Sequence, residues 1–158
     1  MADKKRILIV EDNSDSRELL ALLLRRLGYD VAEAATGQEA IDQTYATHPD
    51  LIIMDLGLPG ITGDEATARI KSDPSTCHIP VVVNTAFHKG AAPVERAIAV
   101  GAAEILHKPI SFKNFQEVVL RYLSSDNNVK PSGANASPQG PQAADIATLS
   151  PSRLTLVS

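Results

Sequence analysis

The sequence of 158 residues contains one cysteine, no tryptophan, and only three phenylalanines and three tyrosines. A single cysteine, Cys77, excludes an intramolecular disulfide bond, which suits a reducing compartment. No apolar run approaches the roughly 20 residues that a membrane-spanning helix needs. The basic opening MADKKR is followed by only four apolar residues, so no signal peptide is expected. We therefore expect a soluble, cytoplasmic protein with no membrane partner.

A strong charge of either sign is also lacking. Lysines and arginines number 15 against 19 aspartates and glutamates, which gives a net charge of −4. This balance provides no general attraction to nucleic acid, so none is expected as a partner. A hydrophobic content of 44% and a charged content of 22% are typical of a globular domain. The length is sufficient for one hydrophobic core.

The composition changes near Ser124. Residues 125–158 carry four of the ten prolines and are otherwise rich in serine, asparagine, glutamine and alanine. This segment offers too little apolar surface to offset the conformational entropy that is lost on folding. We therefore predict one folded domain over residues 1–124 and a disordered, Pro/Ser/Ala-rich tail over residues 125–158.

Before the tail, short apolar runs alternate with longer amphipathic stretches. The runs have the composition of strands and the stretches have the spacing of helices, so the pattern predicts five β-α pairs. Strict alternation indicates an α/β fold of the flavodoxin-like (βα)5 type, a doubly wound parallel five-stranded sheet of order 2-1-3-4-5. In that order, the carboxyl ends of strands 1 and 3 flank the crevice that binds ligands. The predicted strands are RILIV, YDVAEAA, LIIM, IPVVVNTA and AEILH.

Polar side chains follow four of these strands at the carboxyl edge of the sheet. Three converging carboxylates repel one another unless a cation joins them. A lysine supplies one charge, and a divalent cation would balance the rest. Mg²⁺ is favoured over Zn²⁺ because the group offers oxygen atoms and neither cysteine nor converging histidines. The residues are Glu11 and Asp12 after strand 1, Asp55 after strand 3, Asn84 and Thr85 at strand 4, and Lys108 after strand 5.

Such a set suits the formation of an acyl phosphate on one acid. Phosphoryl transfer depends mainly on positioning and charge neutralisation, and aspartate is an accepted covalent phosphoryl carrier. Simpler roles remain open for each residue alone. An acid after a strand is often the N-cap of the next helix, and Asp12 could cap helix 1 in this way, as could the neighbouring amide Asn13. Thr85 and Lys108, taken singly, are typical of surface loops, and it is the convergence of all of them that favours a site.

Four segments resemble the signature segments of response regulator receiver domains of two-component signalling, over about residues 5–124. They are ILIVEDN, PDLIIMDLGLPGITGDE, IPVVVNTA and ILHKPI. The resemblance implies that Asp55 accepts a phosphoryl group from the phosphohistidine of a sensor histidine kinase or a histidine phosphotransfer protein. It also implies that Asp12 binds Mg²⁺ directly, that Glu11 assists through water, and that the backbone carbonyl of Gly57 completes the protein ligands.

The resemblance further implies that Thr85 contacts the phosphoryl oxygen and that Lys108 pairs with it. The bond between Lys108 and Pro109 is expected to be cis, a form that is inexpensive only before proline. Ile105 departs from the family, which usually has an aromatic or histidine ring there that swings inward on activation. Gly57 replaces a more usual larger side chain and should open access to the phosphate, whereas Phe87 should close it.

These features predict a stand-alone receiver domain, a phosphorelay response regulator that switches protein contacts through the face formed by helix 4, strand 5 and helix 5. It would be no enzyme beyond its own phosphotransfer and dephosphorylation. The tail is too short for a helical DNA-binding output domain and lacks a basic patch. One alternative is a constitutive receiver-like scaffold, with Ile105 marking a lost switch. Another is an aspartyl-phosphate hydrolase of the haloacid type, which generally needs a second acid where Gly57 stands.

Overall fold

The computed structural model describes residues 4–124, along which five strands and five helices alternate. Residues 125–158, predicted to form a tail, lie outside the described residues. Among residues 4–124, none of the helices has both the length and the apolar character needed to cross a lipid bilayer. The elements are β1 (Arg6–Val10), α1 (Ser14–Arg26), β2 (Asp30–Ala34), α2 (Gly37–Thr47), β3 (Leu51–Met54), α3 (Gly63–Ser72), β4 (Val81–Thr85), α4 (Ala92–Ala99), β5 (Glu104–His107) and α5 (Phe112–Leu123).

The strands form one sheet in the order β2-β1-β3-β4-β5, and every neighbouring pair is parallel. The predicted flavodoxin-like fold is thus confirmed. All residues of β3 and β4 are buried, as expected of apolar strands covered by helices on both faces. In contrast, β2 is mostly half-buried at the edge of the sheet. The register places Val10 of β1 beside Met54 of β3, so the residues that follow them meet at one edge.

The first helix begins at a side-chain cap that leaves the neighbouring acid free for another role. The Asn13 Oδ1 atom accepts a hydrogen bond from the Ser16 amide at 2.9 Å, which satisfies one of the amides left unbonded at a helix start. Asp12 therefore does not serve as the cap. The helix ends before Gly28, whose φ of 99° is a backbone conformation that residues other than glycine rarely adopt.

Two apolar clusters pack between the sheet and the helices α2, α3 and α4. The larger lies under α2 and α3 and includes Ile52, Met54 and Ile70. The smaller joins Leu56, Val83, Val94 and Ala97 under α4, with the half-buried Ile105 packed against it. Because Leu56 directly follows Asp55, this second cluster fixes the chain on one side of that acid.

The loop from β3 to α3 returns closely to the end of β3. The Gly63 amide donates a hydrogen bond to the Leu56 carbonyl at 3.1 Å. A Cβ atom at Gly63 would lie 2.0 Å from the Asp55 carbonyl oxygen, so no other residue fits there without moving the backbone. The start of α3 is therefore held directly against the residues that carry the predicted phosphoryl acceptor.

Candidate functional site

Three acids meet at the carboxyl edge of the sheet. Glu11 and Asp12 follow β1 and Asp55 follows β3, and one carboxylate oxygen from each lies within 4.8 Å of the other two. Glu11 and Asp55 are 5% and 9% exposed, whereas Asp12 is exposed. The parallel pairing of β1 with β3 produces this convergence, because the two strands end side by side.

Lys108 brings the one ammonium group that contacts this acid cluster among the described residues. Its Nζ atom lies 2.8 Å from Glu11 Oε1 and 3.6 Å from Asp55 Oδ2. Burial alone would lower the pKa of Lys108, but the hydrogen bond to Glu11 and the charges of the two acids raise it above its ordinary value. Lys108 therefore stays charged and balances one of the three carboxylates.

The remaining negative charge and the type of donor atom fit a hard divalent cation. The oxygens of Glu11 are engaged: Oε1 accepts from Lys108, and Oε2 accepts from the Asn13 amide at 3.2 Å. Asp55 Oδ1 accepts a hydrogen bond from the Gly57 amide, and its length of 3.3 Å is greater than the usual range for such a bond. Asp12 is exposed at the rim. Carboxylate and carbonyl oxygens are the ligands that Mg²⁺ prefers, so the residues present fit this ion.

A cavity of about 360 Å³ opens beside the acid cluster. Thr85 is fully buried at its wall, and its hydroxyl oxygen accepts a hydrogen bond from the Phe87 amide at 3.1 Å. The hydroxyl proton is thus available to a ligand in the cavity. The lining residues are Asp55, Gly57, Thr85, Ala86, Phe87 and Lys108.

Gly57 and Phe87, whose expected effects on access oppose each other, are neighbours in space. The nearest atom to a Cβ built on Gly57 is Cε2 of the Phe87 ring, at 3.8 Å. The ring is 38% exposed. The Phe87 carbonyl accepts a hydrogen bond from the exposed His107 Nδ1 at 2.9 Å, which ties this loop to β5. The ring therefore stands over the space that a side chain at Gly57 would enter.

Of the residues predicted to transmit a switch, Thr85 lines the cavity, whereas Ile105 lies in the strand β5. Ile105 pairs with Val83 and packs into the cluster under α4. The Lys108 amide donates a hydrogen bond to the Thr85 carbonyl at 2.7 Å, which joins the ends of β4 and β5. The peptide bond between Lys108 and Pro109 is cis. The structure therefore brings Glu11, Asp12, Asp55, Thr85 and Lys108 to one edge of the sheet, whereas Ile105 lies within β5.

One contact beside the site was not anticipated from the sequence. Asp64, the second residue of α3, is buried and accepts a hydrogen bond at 2.7 Å from Nε of Arg96 on α4. An acid in the first turn of a helix is ordinarily a favourable partner of the helix dipole, and that was the only local signal. No spacing in the sequence links a residue of one helix to a residue of another.

Comparison with known proteins agrees with this arrangement. Residues 7–120 match the family model of the response regulator receiver domain. The polar-differentiation response regulator DivK of Brucella ovis is 40% identical over 120 residues, which cover 75% of this chain and 96% of that protein. The match therefore covers nearly the whole of that relative.

Two solved structures are similar in fold and sequence. The receiver domain of a sensor histidine kinase from Pseudomonas aeruginosa, with magnesium coordinated in its active-site cleft, has a TM-score of 0.71 at 29% identity and covers 78% of this chain and 100% of that one. The response regulator TrrA of Thermotoga maritima, in complex with Mg²⁺-BeF, has a TM-score of 0.65 at 30% identity and covers 75% and 99%. This chain belongs to the response regulator receiver domain family, whose members are signalling proteins of two-component systems.

Proposed function

We propose that this protein is a phosphorelay response regulator that accepts a phosphoryl group on Asp55 and thereby changes its contacts with other proteins. The observation that carries the proposal is a cluster of three acids, two of them in contact with Lys108, beside a cavity that Thr85 lines. Asp55 is the acid shared by the cluster and the cavity, so a group entering the cavity meets its carboxylate.

The donor is a phosphohistidine of a sensor histidine kinase or of a histidine phosphotransfer protein. An Asp55 carboxylate oxygen attacks phosphorus, a new P–O bond forms, and the P–N bond to the imidazole breaks. The imidazole nitrogen keeps the electron pair and takes a proton from solvent. Aspartate acts here as a nucleophile, and much of the barrier is lowered by positioning and charge neutralisation.

Four residues would hold Mg²⁺, the resident cofactor. Asp12 and Asp55 would supply direct carboxylate ligands, the Gly57 backbone carbonyl would supply a third, and Glu11, whose oxygens accept hydrogen bonds from Lys108 and Asn13, would assist through water. When bound, the ion neutralises negative charge on the phosphoryl oxygens.

Lys108 and Thr85 are the protein groups that respond to the phosphoryl group. The Lys108 ammonium already lies 3.6 Å from Asp55 Oδ2 and is placed to pair with a phosphoryl oxygen. The Thr85 hydroxyl donates its proton to another of these oxygens. Hydrolysis reverses the modification: water attacks phosphorus, the P–O bond to Asp55 breaks, and inorganic phosphate leaves. The Phe87 ring limits the space from which that water approaches.

Output goes to a downstream protein through the face formed by α4, β5 and α5. Ile98 of α4 and Phe112 of α5 are large apolar residues that are 51% and 37% exposed, as befits a protein contact surface. A phosphoryl group adds close to two negative charges, which shift an existing equilibrium between two packings of this face. A cytoplasmic location stays a prediction.

The proposal is tested by intact mass. The full chain is incubated with Mg²⁺ and acetyl phosphate, and we expect one added phosphoryl group on the wild type and none on Asp55→Asn. Asp50→Asn is the matched control, because Asp50 precedes the same strand at the opposite edge of the sheet. No adduct on the wild type, or an undiminished adduct on Asp55→Asn, would contradict the proposal.

A further inference from the structure

The position at which the family usually carries a switching ring is occupied by Ile105, which is packed into an apolar cluster. An aliphatic side chain cannot undergo the inward ring swing, so a signal from the phosphoryl site to α4 needs another route. Leu56 belongs to the same cluster as Val94 and Ala97 of α4. The residue after the acceptor therefore shares an apolar cluster with α4.

A chain of polar contacts also runs from the acceptor to α4. The Leu56 carbonyl accepts the Gly63 amide hydrogen bond at 3.1 Å, so the backbone next to Asp55 is joined to the first residue of α3. Asp64 follows Gly63 directly. Its Oδ2 atom accepts the hydrogen bond from Arg96 Nε at 2.7 Å, which joins the start of α3 to the middle of α4.

The Asp64–Arg96 pair is asymmetric in its exposure. The Asp64 side chain is 4% exposed and that of Arg96 is 58% exposed. Burial alone would raise the pKa of Asp64, but hydrogen bonds from Arg96, from Thr62 and from its own backbone amide, together with the Arg96 charge, hold the pKa below its ordinary value. A buried, ionised carboxylate without its partner is costly, so a shift of α3 obliges α4 to follow or to lose the bond.

We propose that Asp64 and Arg96 are positioning residues that couple the state of Asp55 to the position of α4, in place of a switching ring at Ile105. The inference rests on the proposed function. Phosphorylation turns an Asp55 carboxylate oxygen into the bridging oxygen of an acyl phosphate and adds charge beside the Gly57 amide, which donates to Oδ1 in the unphosphorylated protein. The backbone of residues 55–57 adjusts, the Leu56 carbonyl carries the change to Gly63, and the ion pair carries it to α4.

The experiment follows amide chemical shifts of the full chain when Mg²⁺ and beryllofluoride are added as the phosphoryl mimic. In the wild type, we expect changes at Gly57, at Thr85 and along α4. In Arg96→Met and in Asp64→Asn, the changes along α4 fall by about threefold or more while those at Gly57 and Thr85 persist. Arg96→Lys, which keeps the charge, restores part of the α4 response.

The matched control is Arg25→Met, because the Arg25 side chain is about as exposed as that of Arg96, 51% against 58%, and pairs with Glu33 away from α4. It leaves the α4 response at the wild-type size. The double variant Asp64→Asn/Arg96→Met leaves no unpaired buried charge, so it folds even if a single variant does not, and its α4 response matches that of the single variants because the two residues act as a unit.

The outcomes separate the two proposals. A wild-type response at Gly57 and Thr85 combined with an undiminished α4 response in Arg96→Met, or in the double variant, overturns the coupling and leaves the proposed function intact. If α4 of the wild type does not respond at all while Gly57 and Thr85 do, the coupling is overturned together with the switched output through α4, which favours a constitutive scaffold. A wild type that responds at neither place, and takes no phosphoryl group from acetyl phosphate, overturns both.

Discussion

Acidic and basic residues stand at both edges of the sheet, but acids are paired with Arg6 at the amino edge and outnumber their partner at the carboxyl edge. At the amino edge, Arg6 pairs with Asp30 at 2.7 Å, and its backbone amide donates to Asp50 at 2.8 Å. At the carboxyl edge, three carboxylates converge, and within residues 4–124 Lys108 is the one lysine that pairs with them, contacting Glu11 and Asp55. The amino-edge cavity is the larger, about 590 Å³ against about 360 Å³. An excess of like charge held in place, and not the size of the cavity, therefore distinguishes the edge that we propose to be functional.

The largest effect expected from breaking this contrast is on phosphorylation rate. Lys108→Met removes the cation that faces the transferring group, and we expect phosphorylation by acetyl phosphate to slow by about 10²- to 10³-fold. Arg6→Met removes the cation of the other edge. It leaves the rate unchanged and lowers the free energy of unfolding by about 1 kcal/mol or less, because its pair is solvent-exposed. Intact mass measures the phosphorylation rates, and urea titrations measure the free energies of unfolding. Equal rates in the two variants would contradict the contrast.

A smaller effect is expected on metal affinity. Asp12→Asn removes a carboxylate from the cluster of three, and we expect Mg²⁺ affinity to fall by about tenfold or more. Asp30→Asn, which removes one carboxylate at the amino edge, leaves the affinity unchanged. Isothermal titration with Mg²⁺ measures both. A loss of equal size in Asp30→Asn would mean that general surface charge, and not the converging oxygens, attracts the ion.

The smallest effect concerns stability at high pH. The pKa of Lys108 is raised in the folded protein, so its contribution to stability is fully present below the unfolded value of about 10.4 and is lost as the pH rises through the folded value. Tyr29 and Tyr45 also have raised pKa values, so the wild type alone is not diagnostic. We expect urea midpoints of the wild type to fall more steeply above pH 10 than those of Lys108→Met. Parallel curves would show that the lysine contributes nothing.

Much of the fold and of the candidate site can be predicted from local sequence patterns. LIIM is uniformly apolar because β3 is covered on both faces, and a polar residue at its end must then stand at the edge of the sheet. The order of the strands brings Asp55 to Glu11 and Asp12 without any further information. These residues were predictable because the chemistry follows directly from where strands end.

Contacts that depend on side-chain direction were not predictable in this way. Asn13 and Asp12 are both suitable helix caps, and only the backbone geometry assigns the cap to Asn13. Asp64 and Arg96 lie on separate helices, where each residue alone resembles an ordinary surface charge. The distance between the Phe87 ring and Gly57 depends on the path of a loop, which no periodicity describes.

The close approach of Gly63 to Asp55 has a consequence for protein engineering. Because the Gly63 amide is bonded to Leu56 and a Cβ there would meet the Asp55 carbonyl, the loop between them has a fixed length and a fixed closing residue. The same loop also lies against α2, because a Cβ at Gly37 would come within 2.2 Å of the Ile61 carbonyl oxygen. We therefore expect a chimera of two receiver domains to keep its acceptor geometry only if residues 55–63 and Gly37 come from the same parent.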